Sequence, residues 1–172
     1  GKKGEFHHTY GFVIVEIKDK ETFYIRQVTA DDKTGSFTDL CYRVEGGDVN
    51  KVDKAAAMIL GDIHYGKHDQ SVIDATLNFM ETVVPEHVIL HDVFDGTSIN
   101  HHEMKDPFIQ YSKEVHNQNS LQLEIDNMLD GLADFSNFNN VVIVRSNHDD
   151  FLDRWLKNED WKKQPTLSLI HI

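Results

Sequence analysis

The sequence is organised around the stretch Gly61-Asp62-Ile63-His64-Tyr65-Gly66-Lys67-His68-Asp69, which directly follows the apolar run from Ala55 to Leu60. A short buried strand that ends in Asp-x-His delivers a carboxylate and an imidazole to the same side of a sheet edge. It does so because side chains two residues apart on an extended chain point the same way. Asp62 and His64 are therefore candidate metal ligands.

Two later segments repeat this pattern of an apolar strand that runs into Asp, Asn and His. They are Val88-Ile89-Leu90-His91-Asp92-Val93-Phe94-Asp95-Gly96 and Val141-Val142-Ile143-Val144-Arg145-Ser146-Asn147-His148-Asp149. Spacers of helix length separate the three segments, so the strands are expected to lie parallel, with their carboxyl ends at one edge of a sheet. Oxygen and imidazole ligands collected at one edge predict a polynuclear metal site.

Residues 1–50 differ from the rest of the chain and predict a β-rich segment. Three runs are rich in β-branched and aromatic residues: Tyr10 to Ile17, Thr22 to Val28 and Ser36 to Val44. Polar, turn-forming residues separate them. We expect an antiparallel meander that ends at the turn Gly46-Gly47-Asp48. Cys41, the single cysteine, is expected to be a small buried hydrophobe on the third strand.

From Lys54 onward the pattern alternates between strand and helix. Helices are expected over Ser71 to Val84, over Pro107 to Phe135 with a break around Asn117 to Asn119, and from Phe151 to Trp155. Continuous apolar strands separated by helices predict an α/β fold with a parallel sheet covered on both faces and connected by right-handed crossovers.

Composition restricts the functional classes. The chain has 172 residues, of which 40% are hydrophobic, which is enough for one core. Its net charge of −12 opposes non-specific wrapping of a nucleic acid by a basic surface, whereas carboxylate metal ligands account for part of the excess. No apolar run approaches the roughly 20 residues that span a bilayer, and no signal peptide is recognised. We therefore expect no membrane partner and a cytoplasmic location.

The three motifs together resemble the calcineurin-like metallophosphoesterase superfamily. The resemblance covers residues 55 to about 160 and departs from the family at His91 and Ser146, where glycine is usual. It implies a layered α/β/β/α sandwich, here C-terminally truncated and preceded by the β-rich segment 1–50. Residues 51–166 would be the N-terminal half of that domain. The combination of His91 with the run from Thr97 to Glu103 resembles a phage subgroup of this superfamily that includes DNA-degrading transfer proteins. If a phage encodes the protein, the expected cytoplasm is that of the host.

The resemblance also implies roles for individual residues. Asp62 and His64 would hold one metal ion, Asp92 would bridge two ions, and Asn147 would bind the second. His148 would act as a general acid or as a cation beside the leaving group, oriented by Asp149. Residues that hold imidazoles or turn amides, or that contact substrate, would be Asp69, His91, Asp95, His101 and His102. For His101 and His102, metal ligation, phosphate contact and an ordinary loop role stay open.

The implied function is a two-metal-dependent phosphoesterase of nuclease type, which hydrolyses phosphodiester bonds with metal-activated water and for which DNA is one candidate substrate. Manganese is the first candidate for both ions, with iron or zinc as alternatives. Two other functions remain open: a catalytically degenerate binding or scaffold module with the same fold, and a small-nucleotide phosphodiesterase. The oligomeric state is not predicted.

The last residues suggest that the natural sequence continues differently. The family completes its site with histidines downstream of His148, and this chain offers only His171. Residues 167–172 match the translation of a common transposon-derived sequencing adapter, so they are expected to be a non-native tail. A piece that lacks the downstream ligands is expected to be inactive alone.

Overall fold

The structure of the protein is a computed structural model that describes residues 8–158. The predicted tail 167–172 and His171 lie outside this range. Contacts divide the chain into two compact units. The first ends at Ala55 and also includes Glu81–Val84, and the second comprises Ala56–Met80 and the residues from Pro85 onward.

The first unit is built from antiparallel strands. Strands β1 (Gly11–Ile17) and β2 (Phe23–Thr29) form a hairpin in which Gly11 pairs with Thr29. Its connection is closed by Asp19, whose Oδ1 accepts hydrogen bonds from the backbone N–H groups of Glu21 and Thr22 at 2.9 and 2.8 Å. Strands β3 (Phe37–Asp39), β4 (Tyr42–Glu45) and β5 (Asp48–Lys51) form a separate three-stranded sheet.

The prediction of a single meander was wrong in its third strand. The run from Ser36 to Val44 folds into two strands, because Leu40 adopts a positive φ of 51° and the chain turns at Leu40 and Cys41. Cys41 therefore lies in a turn and is partly buried. Gly46 and Gly47, with φ of 60° and 93°, connect β4 to β5 and do not end the sheet.

The second unit contains a parallel sheet with helices, which confirms a mixed α/β protein. Strands β6 (Ala57–Leu60), β7 (His87–His91) and β8 (Val141–Val144) lie in that order. The helices are α1 (Gln70–Val83), α2 (Pro107–Val115), α3 (Leu121–Leu132) and α4 (Asp149–Lys157). Short 3₁₀ turns occupy Thr97–Ile99 and Ala133–Phe135. Among the described residues, no helix is long and apolar enough to cross a membrane.

The predicted break in the long helical segment separates α2 from α3. Helix α2 begins after Asp106, whose side chain accepts hydrogen bonds from the N–H groups of Phe108 and Ile109, and Pro107 needs no such partner. Asn117 takes a positive φ of 54°, and Ser120 then caps α3 by accepting from the Leu123 N–H. Local polar residues thus end one helix and start the next.

The core of the second unit lies mainly on one side of the sheet. Met80, Val88 and Leu90 are fully buried there, together with Phe135. The expectation that the sheet is covered on both faces was wrong for the described residues. In register, Ile59, Ile89 and Val142 lie side by side, and Ile59 is 70% and Val142 47% exposed.

Candidate metal site

The loops that follow β6 and β7 continue the pairing of these strands beyond their ends. The backbone N–H of His64 donates to the carbonyl of Asp92 at 2.8 Å, and that of Tyr65 donates to Val93 at 3.0 Å. Because β6 and β8 both run parallel to β7, the carboxyl ends of the three strands, and with them all three sequence motifs, lie at one edge of the sheet.

The backbone of these loops is unusual at three candidate ligands. Asp62, His64 and Asp92 have positive φ values of 54°, 47° and 53°. Residues other than glycine rarely occupy this left-handed region, although Asp and His are enriched among those that do. Such conformations persist when surrounding contacts enforce them, and they concentrate at functional sites.

The structure brings His64, Asp95 and His148 into one cluster, which we call the His–Asp cluster. One potential ligand atom from each lies within 4.8 Å of the others. His64 Nδ1 is 3.4 Å from Asp95 Oδ1, and the His64 and His148 ring centroids are 4.5 Å apart. His148 Nδ1 lies 2.5 Å from the backbone carbonyl oxygen of Asp95, which indicates that Nδ1 carries the proton and leaves Nε2 free.

Asp95 is held as a carboxylate inside this cluster. The residue is only 8% exposed, and burial alone would raise the pKa of its side chain. Hydrogen bonds from the Thr97 hydroxyl and the Lys67 ammonium, together with the positive charge of Lys67, outweigh burial, so the pKa of Asp95 is lowered. Lys67 Nζ lies 2.9 Å from Asp95 Oδ2 and also donates to the Thr97 hydroxyl.

Two buried polar atoms near this edge have no hydrogen-bond partner among the described residues: Nδ1 of His64 and Oδ1 of Asp92. The other Asp92 oxygen, Oδ2, lies 2.7 Å from Nδ1 of His91. A buried acceptor without a partner costs free energy, so each such atom requires an explanation. Imidazole nitrogen and carboxylate oxygen together fit a divalent cation such as Mn²⁺, Fe²⁺ or Zn²⁺.

Other predicted ligands lie at the rim. The Asp62 side chain is 87% exposed, and its Oδ1 is 3.7 Å from His64 Nε2. Asn147 is exposed between β8 and α4. Asp149 Oδ2 accepts from the Ser146 N–H at 2.7 Å, so in this structure it stabilises the turn before α4, and its carboxylate makes no hydrogen bond to the His148 ring.

The remaining predicted residues lie around this edge. Asp69 Oδ1 accepts from the N–H and hydroxyl of Ser71 at the start of α1, and these bonds lower the pKa of its carboxyl. The rings of His101 and His102 contact each other at an angle of 41° with centroids 3.8 Å apart, and the Arg154 guanidinium contacts His101. Burial, followed by the charge of Arg154, lowers the pKa of His101.

Sequence reasoning missed Lys67, Thr97 and Glu124. Glu124 on α3 accepts from the N–H groups of Thr97 and Ser98 at 2.6 and 3.2 Å and so positions the loop after β7. Lys67 lies inside the first motif but is not a metal-ligand type, and Glu124 reads as an ordinary helical residue. Its position inside the first motif is the one signal in the sequence that could have drawn attention to Lys67.

Comparison with known proteins finds that the chain is similar to a phage protein. The chain is 30% identical over 189 aligned positions to Protein A1 of Escherichia phage T5, an alignment that covers 96% of the chain. The chain spans about a third (32%) of the length of that curated relative. No family model matches the chain, and no solved structure matches it.

Proposed function

We propose that this chain forms part of a two-metal-dependent phosphoesterase that hydrolyses phosphodiester bonds, of nuclease type and with the layered metallophosphoesterase sandwich as its fold. The observation that carries the proposal is the His–Asp cluster, which lies where three strand-end motifs converge and adjoins buried ligand atoms without partners. Similarity to a phage protein is consistent with this proposal but says nothing about activity.

Asp62, His64, Asp92 and Asn147 would hold the ions, as the motifs predict, and Asp95 joins them as a candidate because it lies inside the His–Asp cluster. When bound, two divalent ions polarise a phosphoryl oxygen and lower the pKa of the attacking water. Asp62, His64 and Asp92 all adopt positive φ values, a strained backbone conformation of the kind that concentrates at functional sites.

His148 is the proposed general acid. Its Nδ1–H donates to the Asp95 carbonyl, which orients the ring and leaves Nε2 to carry a proton toward the leaving oxygen. The half-buried ring packs between His64 and Phe151, at centroid distances of 4.5 and 5.1 Å. The ring is therefore held in position by contacts on two sides and by one hydrogen bond.

A second candidate function is a degenerate binding module, and the Lys67–Asp95 ion pair favours it. An ammonium 2.9 Å from a buried carboxylate supplies the positive charge that a metal ion would otherwise provide. In that case the His–Asp cluster would be stable without any ion, and the protein would bind its partner without hydrolysis.

Metal content and hydrolysis separate the two functions. We expect purified protein to bind manganese, and a longer chain that supplies further histidine ligands to hydrolyse bis-p-nitrophenyl phosphate. Asp92→Asn should abolish hydrolysis while circular dichroism stays unchanged, and Asp126→Asn on the exposed face of α3 serves as the control. Protein that binds no divalent ion and hydrolyses nothing under any of them would refute the phosphoesterase and favour the binding module.

A further inference from the structure

A cleft adjoins the His–Asp cluster and has no role in the proposed chemistry. It encloses about 260 Å³ between the loop after β6 and the connection from α2 to α3. Asp95, Lys67 and Thr97 line one end, and Gln118 and Asn127 are among the residues that line the rest. Because Asp95 belongs to both the cleft and the cluster, a ligand in the cleft would lie next to the metal ligands.

The polar groups of the cleft are of two kinds. The carboxylate of Glu124 is already occupied, since it accepts hydrogen bonds from Thr97 and Ser98. By contrast, the side-chain amides of Asn117, Gln118 and Asn127 make no hydrogen bond within residues 8–158. Each of these amides can donate and accept at once. The cleft therefore offers unused donor and acceptor groups beside the Glu124 carboxylate, which is already occupied by its hydrogen bonds from Thr97 and Ser98.

We propose that this cleft binds a nucleobase, namely the base of the nucleotide adjacent to the scissile phosphate. This inference rests on the proposed phosphoesterase function and specifies its substrate as a nucleotide chain or a nucleotide ester. Base edges present alternating donors and acceptors, which side-chain amides match in pairs. The volume lies just below the roughly 300–1,000 Å³ of ordinary ligand pockets, so it suits one base and not a paired one.

Charge and position support the same occupant. With a net charge of −12, the protein gains little from general attraction to phosphates, so contacts to the base must contribute a larger share of the affinity. Lys67 is the cation at the junction between the cleft and the His–Asp cluster, and its side chain is 49% exposed. Its ammonium can therefore contact the phosphate that links the bound base to the cluster.

The test compares two probes that share a deoxyribose 5-phosphate and carry either a base or a hydroxyl group at C1′: thymidine 5′-monophosphate and 2-deoxyribose 5-phosphate. Calorimetric titration of the 172-residue chain, without metal, should show tighter binding of the thymidine compound. The double variant Gln118→Ala, Asn127→Ala should weaken that binding about tenfold, the size expected for two lost hydrogen bonds, and leave the sugar phosphate unaffected. Asn139→Ala, an exposed amide outside the cleft lining, is the matched control.

Equal binding of the two probes to the wild-type chain, or no binding of either, would overturn the proposal. Equal weakening of both probes in the double variant would also overturn it, because the amides would then act on phosphate or on the fold. Failure of the phosphoesterase proposal looks different: the chain would still discriminate the thymidine compound from the sugar phosphate while it bound no manganese.

Discussion

His64 and Asp95 follow different strands of the parallel sheet, yet His64 Nδ1 and Asp95 Oδ1 lie 3.4 Å apart. This pair arises because the loop after β6 hydrogen bonds to the loop after β7. Asp95, near the end of the second motif, therefore lies beside His64 of the first motif. The relationship makes Asp95 a candidate ligand in its own right, beyond the supporting role that the motif predicts.

Asp95→Asn should therefore lower manganese affinity by at least about tenfold. The amide keeps nearly the same shape but loses the negative charge, and Lys67 loses its ionic partner. Calorimetric titration with Mn²⁺ measures the effect, and Asp126→Asn on α3 controls for the loss of one surface charge. Unchanged affinity in Asp95→Asn would show that Asp95 only pairs with Lys67.

In a longer chain that hydrolyses phosphodiesters, His148→Ala should keep manganese bound but lower turnover by roughly 10²- to 10⁴-fold, the usual contribution of a general acid. The ring is oriented through Nδ1 by the Asp95 carbonyl, which leaves one nitrogen for proton transfer. Metal content by atomic absorption and phosphodiester hydrolysis are measured on the same preparation. Loss of metal in this variant would make His148 a ligand and not the acid.

The sequence predicted the second unit well because its signals are local. Apolar runs identified β6, β7 and β8, and helical periodicity with Pro85 and the polar residues near Asn117 located the ends of the helices. The strand-end motifs predicted which edge of the sheet would carry His64 and His148. Their metal and catalytic roles remain predictions.

What could not be predicted depends on distant contacts or on unusual backbone. The positive φ of Leu40 divides a run that reads as one strand, and nothing in its residue type announces that turn. The contacts of Glu124 and Lys67 with the β7 loop join residues far apart in sequence, so periodicity and motif spacing carry no information about them.

Gly96→Ala should destabilise the protein by about 1–3 kcal/mol. Gly96 has a φ of +73°, and an added Cβ would lie 2.9 Å from Phe151 Cδ2 and 3.2 Å from Phe94 Cε1. Urea denaturation measures the change in the free energy of unfolding. Gly61→Ala is the control, since a Cβ there meets nothing within 4 Å. Equal stability of the two variants would contradict the steric argument.

Glu124→Gln should change how stability depends on pH. Burial raises the pKa of Glu124 above its ordinary value of 4.5, although hydrogen bonds from Ser98 and Thr97 oppose the shift. The folded state then binds more protons than the unfolded state, so this group's contribution to stability is present below pH 4.5 and is lost as pH rises through the folded pKa.

Denaturation curves of the wild type and of Glu124→Gln from pH 4 to 7 test this expectation. Hydrogen bonds lost in the variant change its free energy of unfolding by the same amount at every pH. The pH dependence of the difference between the two proteins therefore reports on ionisation. The wild-type stability, relative to the variant, should fall as pH rises above about 4.5. Glu81→Gln, at an exposed position on α1, is the control. A difference that stays constant with pH would show that Glu124 does not ionise differently on folding.

Val142→Lys should reduce self-association without unfolding the protein. Strand β8 pairs only with β7 among the described residues, and its four residues are 37 to 48% exposed, so it presents an apolar edge of the kind that pairs between molecules. A lysine on an edge strand blocks such pairing at little cost to a half-exposed site. Sedimentation velocity over a concentration series measures the association.

Val72→Lys, at an exposed position on α1, adds the same charge away from the sheet and should leave the association unchanged. A wild-type chain that stays monomeric throughout the series would show that the β8 edge does not drive association.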